Sequence, residues 1–597
     1  MLVATSYQPF FCSERTFMKI IKQLWWFFSL EKKAYLIGIL SLCLVSLLNL
    51  LPASIMGQLI DQIASGQLTE HRLLLGVAGL ILSALAMYGL RYLWRMNILA
   101  TSYRLGKIMR ARLFDHFMHL SPSFFQQHRT GDLMAHATND INALTRLAGG
   151  GVMSFVDATV TALVTLITMS LSISWQMTLV AILPLPFMTL TTNFLGRRTH
   201  ENFKASQAAF SELNNKVQEA VSGIKVTKSF GYQEQETAAF QEVNQAAFLQ
   251  NIKTMRYDAL FNPAVLFFIG LSYLLTLLVG SHFISQGQVS LGQLVTFMTY
   301  LDLLVWPLMA IGFLVNISQR GDVSYNRIQT LLSISSEVIE TDQPLPAPSN
   351  GELVYEISEF AYDNIPVLQD IQFQIKKGQT IGLVGLTGSG KTSLLKLLMR
   401  EYDVINGQIL LNQENIKNYK LADLRRLIGY VPQDQFLFAT SITENIRFGN
   451  PDLSLNQVEE AARAVHVYED IQDMPDRFET MVGEKGISLS GGQKQRLAMA
   501  RAMILNPDIL LLDDSLSAVD AKTEHAILET IKQERLDKTT IITAHRLSAI
   551  VHADLILVLE DGKIVERGRH QELLDEKGWY YDTYMMQQLE KEESDAL

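Results

Sequence analysis

The sequence predicts a multidomain protein in which an all-α, six-helix membrane-spanning domain is followed by an α/β domain of the phosphate-binding-loop type. Three features predict it: six apolar segments within residues 34–317, a proline-rich break at Thr341–Asn350, and, beyond the break, short β-branched runs alternating with helical patterns around the glycine-rich loop Gly385–Thr392.

A chain of 597 residues is too long for one hydrophobic core. Hydrophobic residues make up 48% of it, and a mean hydropathy of +0.15 points to several apolar spans instead of an ordinary soluble enzyme. The net charge of -10 is spread among mixed acids and bases, with acids crowding the tail at Glu590, Glu592, Glu593 and Asp595. No basic stripe is present, which argues against nucleic acid as a partner. Cys12 and Cys43 are too few for a disulfide framework or a zinc site and read as inert thiols. Met1–Thr16 lacks the basic and apolar regions of a secretory signal, and Met18 offers a second start codon.

The apolar segments lie near Ala34–Met56, Leu73–Leu99, Val152–Trp175, Met177–Leu195, Leu260–Ile284 and Leu291–Ile317. Each is long enough to cross about 30 Å of hydrocarbon as a helix. Lys19, Lys22, Lys32 and Lys33 precede the first, and bases recur in Arg104–Arg146 and Arg197–Arg256, whereas Gly57–Glu70, Ser172–Ser174 and Ser281–Ser290 are poor in them. This asymmetry places both termini and the two long connections in the cytoplasm of a multi-pass protein. The long connections, Ala100–Leu147 and Arg197–Tyr257, read as helices prolonged beyond the bilayer, with turns near Ser121–Gly131 and Phe230–Glu236. The expected order is an N-terminal cytoplasmic segment with an amphipathic helix (1–33), the membrane domain (34–330), a linker (331–350), the α/β domain (351–590) and an acidic tail (591–597).

The apolar run Thr380–Val384 leads into Gly385, Leu386, Thr387, Gly388, Ser389, Gly390, Lys391 and Thr392, and a helical pattern follows. This is the strand–loop–helix setting of a nucleotide phosphate site: backbone N–H groups approach the phosphates, Lys391 supplies a charge, and the Thr392 hydroxyl can ligate Mg2+. A second apolar strand, Ile509–Leu512, ends in Asp513, whose carboxylate suits the same ion.

The stretch Leu489, Ser490, Gly491, Gly492, Gln493, followed by Lys494, Gln495 and Arg496, matches the signature of ATP-binding cassette proteins, and the chain resembles an exporter-type ABC half-transporter. A glycine pair at a helix start presents N–H groups to an anion; in the family that anion is the γ-phosphate of ATP bound by a second domain. The resemblance implies that Tyr362 stacks on adenine, that Gln433 senses Mg2+ and the membrane domain, that Val482-Gly483-Glu484 touches the coupling helices, that Ser517-Ala518-Val519-Asp520 joins the two sites, and that His545 is the γ-phosphate switch. Where the family carries a catalytic glutamate, this chain has Asp514, about 1.5 Å shorter in reach, and misplacement by about 1 Å can cost about 100-fold in rate. The resemblance therefore implies the degenerate-site subunit of a bacterial heterodimeric multidrug exporter in the plasma membrane, paired with a second half-transporter that carries glutamate. A homodimer in which Asp514 still works slowly is the alternative.

Within the spans, Asp157 and Asp302 stand out, the latter near Phe297, Tyr300 and Trp306. An acid amid aromatics suits a small lipophilic or amphipathic cation; alternatively Asp302 pairs with Arg91 or Arg95. Gly149–Gly151 and Asn262-Pro263 mark points of kinking or close packing. A lipid flippase, a peptide exporter and a regulatory or sensor subunit are the rival readings.

Overall fold

The computed structural model describes residues 11–348, 351–362, 365–483 and 489–596. They form two compact units, one of residues 11–118 and 130–334, the other of residues 119–129 and 335–596.

In the first unit six helical stretches are long and apolar enough to cross a membrane: Lys32–Ala64, Glu70–His119, Thr130–Ser172, Trp175–Ser222, Gln233–Ser285 and Leu291–Leu332. All run past their apolar cores, which is why the two long connections are helical. The third span ends earlier than expected, because Ser174 leaves helical geometry and its hydroxyl accepts the backbone N–H of Met177 at 3.4 Å. Trp175 thus opens the fourth span. The second turn is confined to Phe230–Tyr232, after the short helix Ile224–Ser229. Gly149–Gly151 lies in a widened, π-helical turn, Leu147–Gly151, and a Cβ on Gly149 would lie 2.7 Å from Ser102 Oγ. Close packing therefore applies there, within a widened turn. Asn262-Pro263 sits in the first turn of the helix Phe261–Ser285, where proline loses no intrahelical bond.

The N-terminal helix Phe11–Gln23 buries Phe17 and Ile20, and Lys19 bonds Asp322 at 3.1 Å. The helices Leu50–Ala64 and Leu291–Leu303 meet where neither has a side chain: a Cβ on Gly57 would lie 2.6 Å from the Gly292 carbonyl, and a Cβ on Gly292 would overlap the Gly57 carbonyl. Asp61 completes the joint, accepting Ser290 Oγ at 2.6 Å and the Gly292 N–H at 2.7 Å.

The second unit contains two sheets. β1 (Leu353–Tyr362), β2 (Ile365–Ile375), β4 (Asn406–Leu411) and β5 (Glu414–Asn415) form an antiparallel sheet of order β2-β1-β4-β5. β3 (Thr380–Gly385), β6 (Ile428–Val431), β7 (Ile509–Asp513), β8 (Thr539–Thr543), β9 (Leu555–Glu560) and β10 (Lys563–Gly568) form the other, of order β10-β9-β3-β8-β7-β6. It is parallel except for β10. Every residue of β7 and β8 is buried, as a parallel sheet covered on both faces requires.

His119–Arg129, expected to be part of the membrane domain, instead clusters with this unit. Its helix Pro122–Gln127 is held by side chains: Ser123 Oγ donates to Glu337 at 2.6 Å, and Gln126 Oε1 accepts from Tyr402 at 2.9 Å. The linker is also tied down, since Leu345 exchanges backbone hydrogen bonds of 2.8 Å with Asn418 and Lys420.

Gly292→Ala is expected to destabilise the protein by roughly 1–3 kcal/mol through overpacking against backbone that cannot move aside. Gly89, where a Cβ would meet open space, is the control. In detergent-solubilised protein, Gly292→Ala should lower the unfolding midpoint and Gly89→Ala should not.

Candidate functional site

The loop Gly385–Thr392 lies between the end of β3 and the helix Lys391–Leu398, at the carboxyl edge of the parallel sheet where ligands bind in such folds. Its conformation depends on glycine at three positions: at Gly385, φ +141, a Cβ would overlap the Leu559 carbonyl. Gly388 has φ +88 with nothing within 4 Å, so backbone geometry alone excludes a side chain; at Gly390, φ +100, a Cβ would also press on Leu368. Lys391 is folded back on its own loop, donating to the carbonyls of Gly385 at 2.8 Å and Leu386 at 2.9 Å. Burial lowers the basicity of its ammonium, an effect opposed by the charges of Asp513 and Asp514.

Asp513, at the end of β7, is buried and gathers three hydroxyls. Its Oδ1 accepts from Thr392 at 3.0 Å and Thr543 at 2.7 Å, and its Oδ2 accepts from Tyr430 at 3.3 Å. Sheet register explains the second contact, because Asp513 pairs directly with Thr543. Thr392 and Asp513 together offer only oxygen ligands, the donor set a hard divalent ion such as Mg2+ prefers. Tyr430 and Thr543 carry no motif of their own. Burial holds the Tyr430 hydroxyl protonated well above the ordinary range, and the Asp513 charge adds to this, so it acts as a fixed donor.

Asp514 follows in the left-handed region, φ +45, a conformation aspartate tolerates better than most residues. Its N–H bonds Thr543 at both the carbonyl (3.1 Å) and the hydroxyl (2.9 Å). Burial pushes its carboxyl above the usual carboxylate range and Asp513 adds to the push; His545, the Ser517 hydroxyl and the His545 backbone N–H pull it down. His545 itself is exposed, and its carbonyl accepts from Gln587 Nε2 at 2.9 Å. Gln433 is exposed, with its carbonyl bonded to Gln435 at 2.6 Å.

Tyr362 is half-buried. Its hydroxyl bonds Ser393 Oγ at 3.2 Å, and its ring packs edge-on against Phe360 and Tyr402, each at 4.9 Å. Tyr402, which no motif marks, thus touches both Tyr362 and Gln126.

Ser490 caps the helix Gly491–Met503, accepting the Gln493 N–H at 3.3 Å while Gln493 Oε1 accepts the Ser490 N–H at 3.0 Å. Gln493 also reaches Asp470 at 3.2 Å, and Leu489 is buried. Behind them Gln495 donates to Ser517 at 3.3 Å and accepts the Ala518 N–H at 3.0 Å, joining this helix to the Ser517–Asp520 loop. Among the described residues, no hydrogen bond or ion pair joins Leu489–Gln493 to Gly385–Thr392. Glu484 lies outside the described residues.

In the first unit Asp302 has a partner other than Arg91 or Arg95. Asp302 accepts from the Tyr273 hydroxyl, Arg91 donates to Asn49 at 3.3 Å, and Arg95 stacks on Trp94 at 5.5 Å. Trp306 donates to Asp157 at 3.1 Å, and Tyr300 to the Leu50 carbonyl at 3.1 Å. Tyr273 lies a whole connection away in sequence and had no signal. A cavity of about 630 Å³ between spans three, four and six is lined by Phe155, Ala158, Leu185, Leu304 and Leu314, with Phe17 of the N-terminal helix, and among the described residues no charged side chain lines it.

A membrane domain fused to a nucleotide-binding α/β domain with a phosphate loop, a buried acidic strand end and a capped glycine-pair helix defines an ATP-hydrolysing membrane transporter. The chain belongs to the ABC transporter family: residues 35–308 match the family's transmembrane region and residues 368–517 its ATP-binding domain. It is 41% identical over 575 residues to the probable multidrug resistance ABC transporter ATP-binding/permease protein YheI of Bacillus subtilis (strain 168), covering 96% of this chain and 98% of that one. It is 39% identical over 581 residues to the multidrug resistance-like ATP-binding protein MdlA of Escherichia coli (strain K12), covering 97% and 98%. A solved structure of a bacterial Atm1-family ABC exporter with ATP bound superposes with a TM-score of 0.77 at 25% identity, over 93% of this chain and 98% of that one. The chain is thus an ABC exporter half-transporter, a multi-pass membrane protein that works as a dimer.

Two outcomes are expected of the site. Lys391→Ala should weaken ATP binding by about ten- to hundredfold, the loss of charge-assisted bonds to phosphate, measured by nucleotide titration. Because Asp514 ionises less readily in the fold than in the unfolded chain, its contribution to stability is full below about pH 3.9 and is lost as pH rises through its folded value. Asp514→Asn should therefore leave the nucleotide-free unfolding midpoint unchanged near pH 4 and raise it towards pH 7.

Proposed function

We propose that this chain exports lipophilic or amphipathic compounds, multidrug-fashion, as one half of a heterodimer in which its own ATP site hydrolyses weakly and its signature serves the partner's site. The observation that carries the reading is Asp514 at the position of the catalytic glutamate. Its side chain, one methylene shorter than glutamate, is poorly placed to orient a water on the γ-phosphate.

In this reading Lys391 and the N–H groups of Gly385–Thr392 bind the β- and γ-phosphates of ATP. Tyr362 turns from its contacts with Ser393 and Tyr402 to meet adenine. Thr392, Asp513 and Gln433 hold Mg2+, which neutralises charge on the phosphate oxygens. His545 contacts the γ-phosphate. The helix start at Ser490–Gly492 presents its capped terminus to the ATP of the partner, in keeping with the lack of described bonds between it and the phosphate loop of its own chain. Both ends of the chain face the cytoplasm.

The names of YheI and MdlA place those relatives in multidrug resistance, which favours the same substrate class here. The uncharged cavity favours the apolar part of such a substrate. With Asp302 engaged by Tyr273 and Asp157 by Trp306, a cation would share either carboxylate with a neutral donor through its remaining lone pairs.

With the partner half co-purified, Asp514→Glu should raise ATP turnover towards about twofold as a second site becomes competent, whereas Ser490→Arg should abolish it. Turnover by this chain alone at the rate of the assembled pair would exclude the weak-site reading. Transport assays with dyes, lipids and peptides read out the substrate class, and movement of lipids or peptides without dyes would replace the multidrug reading.

A further inference from the structure

The loop that carries His545 is held from outside the sheet by the last helix of the described chain. That helix, Trp579–Ala596, is fixed at its start: Glu566 of β10 accepts the N–H groups of Trp579 and Tyr580, the latter at 3.1 Å, and the Tyr580 ring is fully buried. Two turns on, Gln587 lies on the same face as Tyr580. Its amide spans the backbone of the loop, with Nε2 donating to the His545 carbonyl and Oε1 accepting the Leu547 N–H, both at 2.9 Å. On the loop's other flank, Ser548 donates to the buried carboxylate of Glu524 at 3.2 Å and Arg546 reaches it at 3.5 Å. The His545 side chain stands exposed beside these anchors.

We infer that Gln587 is a positioning residue for the nucleotide site: by gripping the backbone immediately after the His545 side chain, at the His545 carbonyl and the Leu547 N–H, it sets the height of the imidazole over the phosphate loop. The inference rests on the assignment of His545 to the γ-phosphate. A planar amide suits the task because donor and acceptor sit on one rigid group and engage a carbonyl and an N–H two residues apart. Glutamate would keep the bond to Leu547 but set an anionic oxygen against the His545 carbonyl. Methionine keeps the bulk and makes neither bond.

The test uses the full transporter, this chain with its partner half, and compares Gln587→Glu, Gln587→Met, His545→Ala and His545→Ala/Gln587→Met. Amide hydrogen exchange over residues 543–549 reads the grip directly; the preference of this chain's site for ATP over ADP reads its consequence. Both Gln587 variants should speed exchange in the loop and reduce the ATP preference roughly three- to tenfold, the scale of one or two hydrogen bonds. Gln587→Met should cost nothing further once His545 is gone. Unchanged exchange overturns the inference, as does an equal further loss of ATP preference in the His545→Ala background, which would mean that Gln587 acts through general stability. Faster exchange with an ATP preference that neither His545→Ala nor Gln587→Met alters would also overturn the positioning role, and the insensitivity of His545→Ala would show that the fault lies with the γ-phosphate assignment.

Discussion

The cytoplasmic unit is organised around one buried carboxylate. Asp513 ends β7, an interior strand of the parallel sheet, and takes hydroxyls from three other places: the start of the phosphate-loop helix, the neighbouring strand β8, and β6 on its other side. A buried anion is tolerable only with such company. The company brings with it the elements that carry the rest of the site, since Thr392 follows Lys391, Thr543 precedes His545 by two residues, and Tyr430 precedes Gln433 by three. Loss of any one hydroxyl would weaken a charge-assisted bond and also loosen the loop attached to it.

Legibility in the sequence follows the range of the interactions. The phosphate loop could be read because its function lies in local backbone geometry, which glycine spacing records; the positive φ values of Gly388 and Gly390 are the physical content of that spacing. The six spans could be read because lipid demands long apolar runs. Partners set by register or packing left no trace. Thr543 opens the stretch Thr543–Arg546, valued for its histidine, and Tyr430 opens the stretch Tyr430–Gln433, valued for its glutamine, and only the pairing of β7 with β8 and β6 brings them to Asp513. Asp302 was visibly unusual, yet its partner Tyr273 lies in the preceding span. Gln587 follows the last motif by about forty residues and acts through its amide on backbone atoms.

The membrane unit obeys a different economy. Water does not drive helices together in lipid, so close approach rests on small residues and polar contacts. Gly57 against Gly292 supplies the first and Asp61 on Ser290 and Gly292 the second, at one joint between helices from opposite ends of the domain's sequence. Asp157 and Asp302 are satisfied in the same manner, by an indole and a phenol.

The short helix Pro122–Gln127 has a consequence for how the protein can be divided. By sequence it belongs to the membrane half, but its polar contacts are with Glu337 and Tyr402, and Tyr402 in turn abuts Tyr362. A soluble fragment begun at residue 335 would lack that helix, leaving Glu337 and Tyr402 without Ser123 and Gln126 and Tyr362 packed against a newly wetted ring. Nucleotide affinities measured on such a fragment would describe a protein missing one of its own pieces.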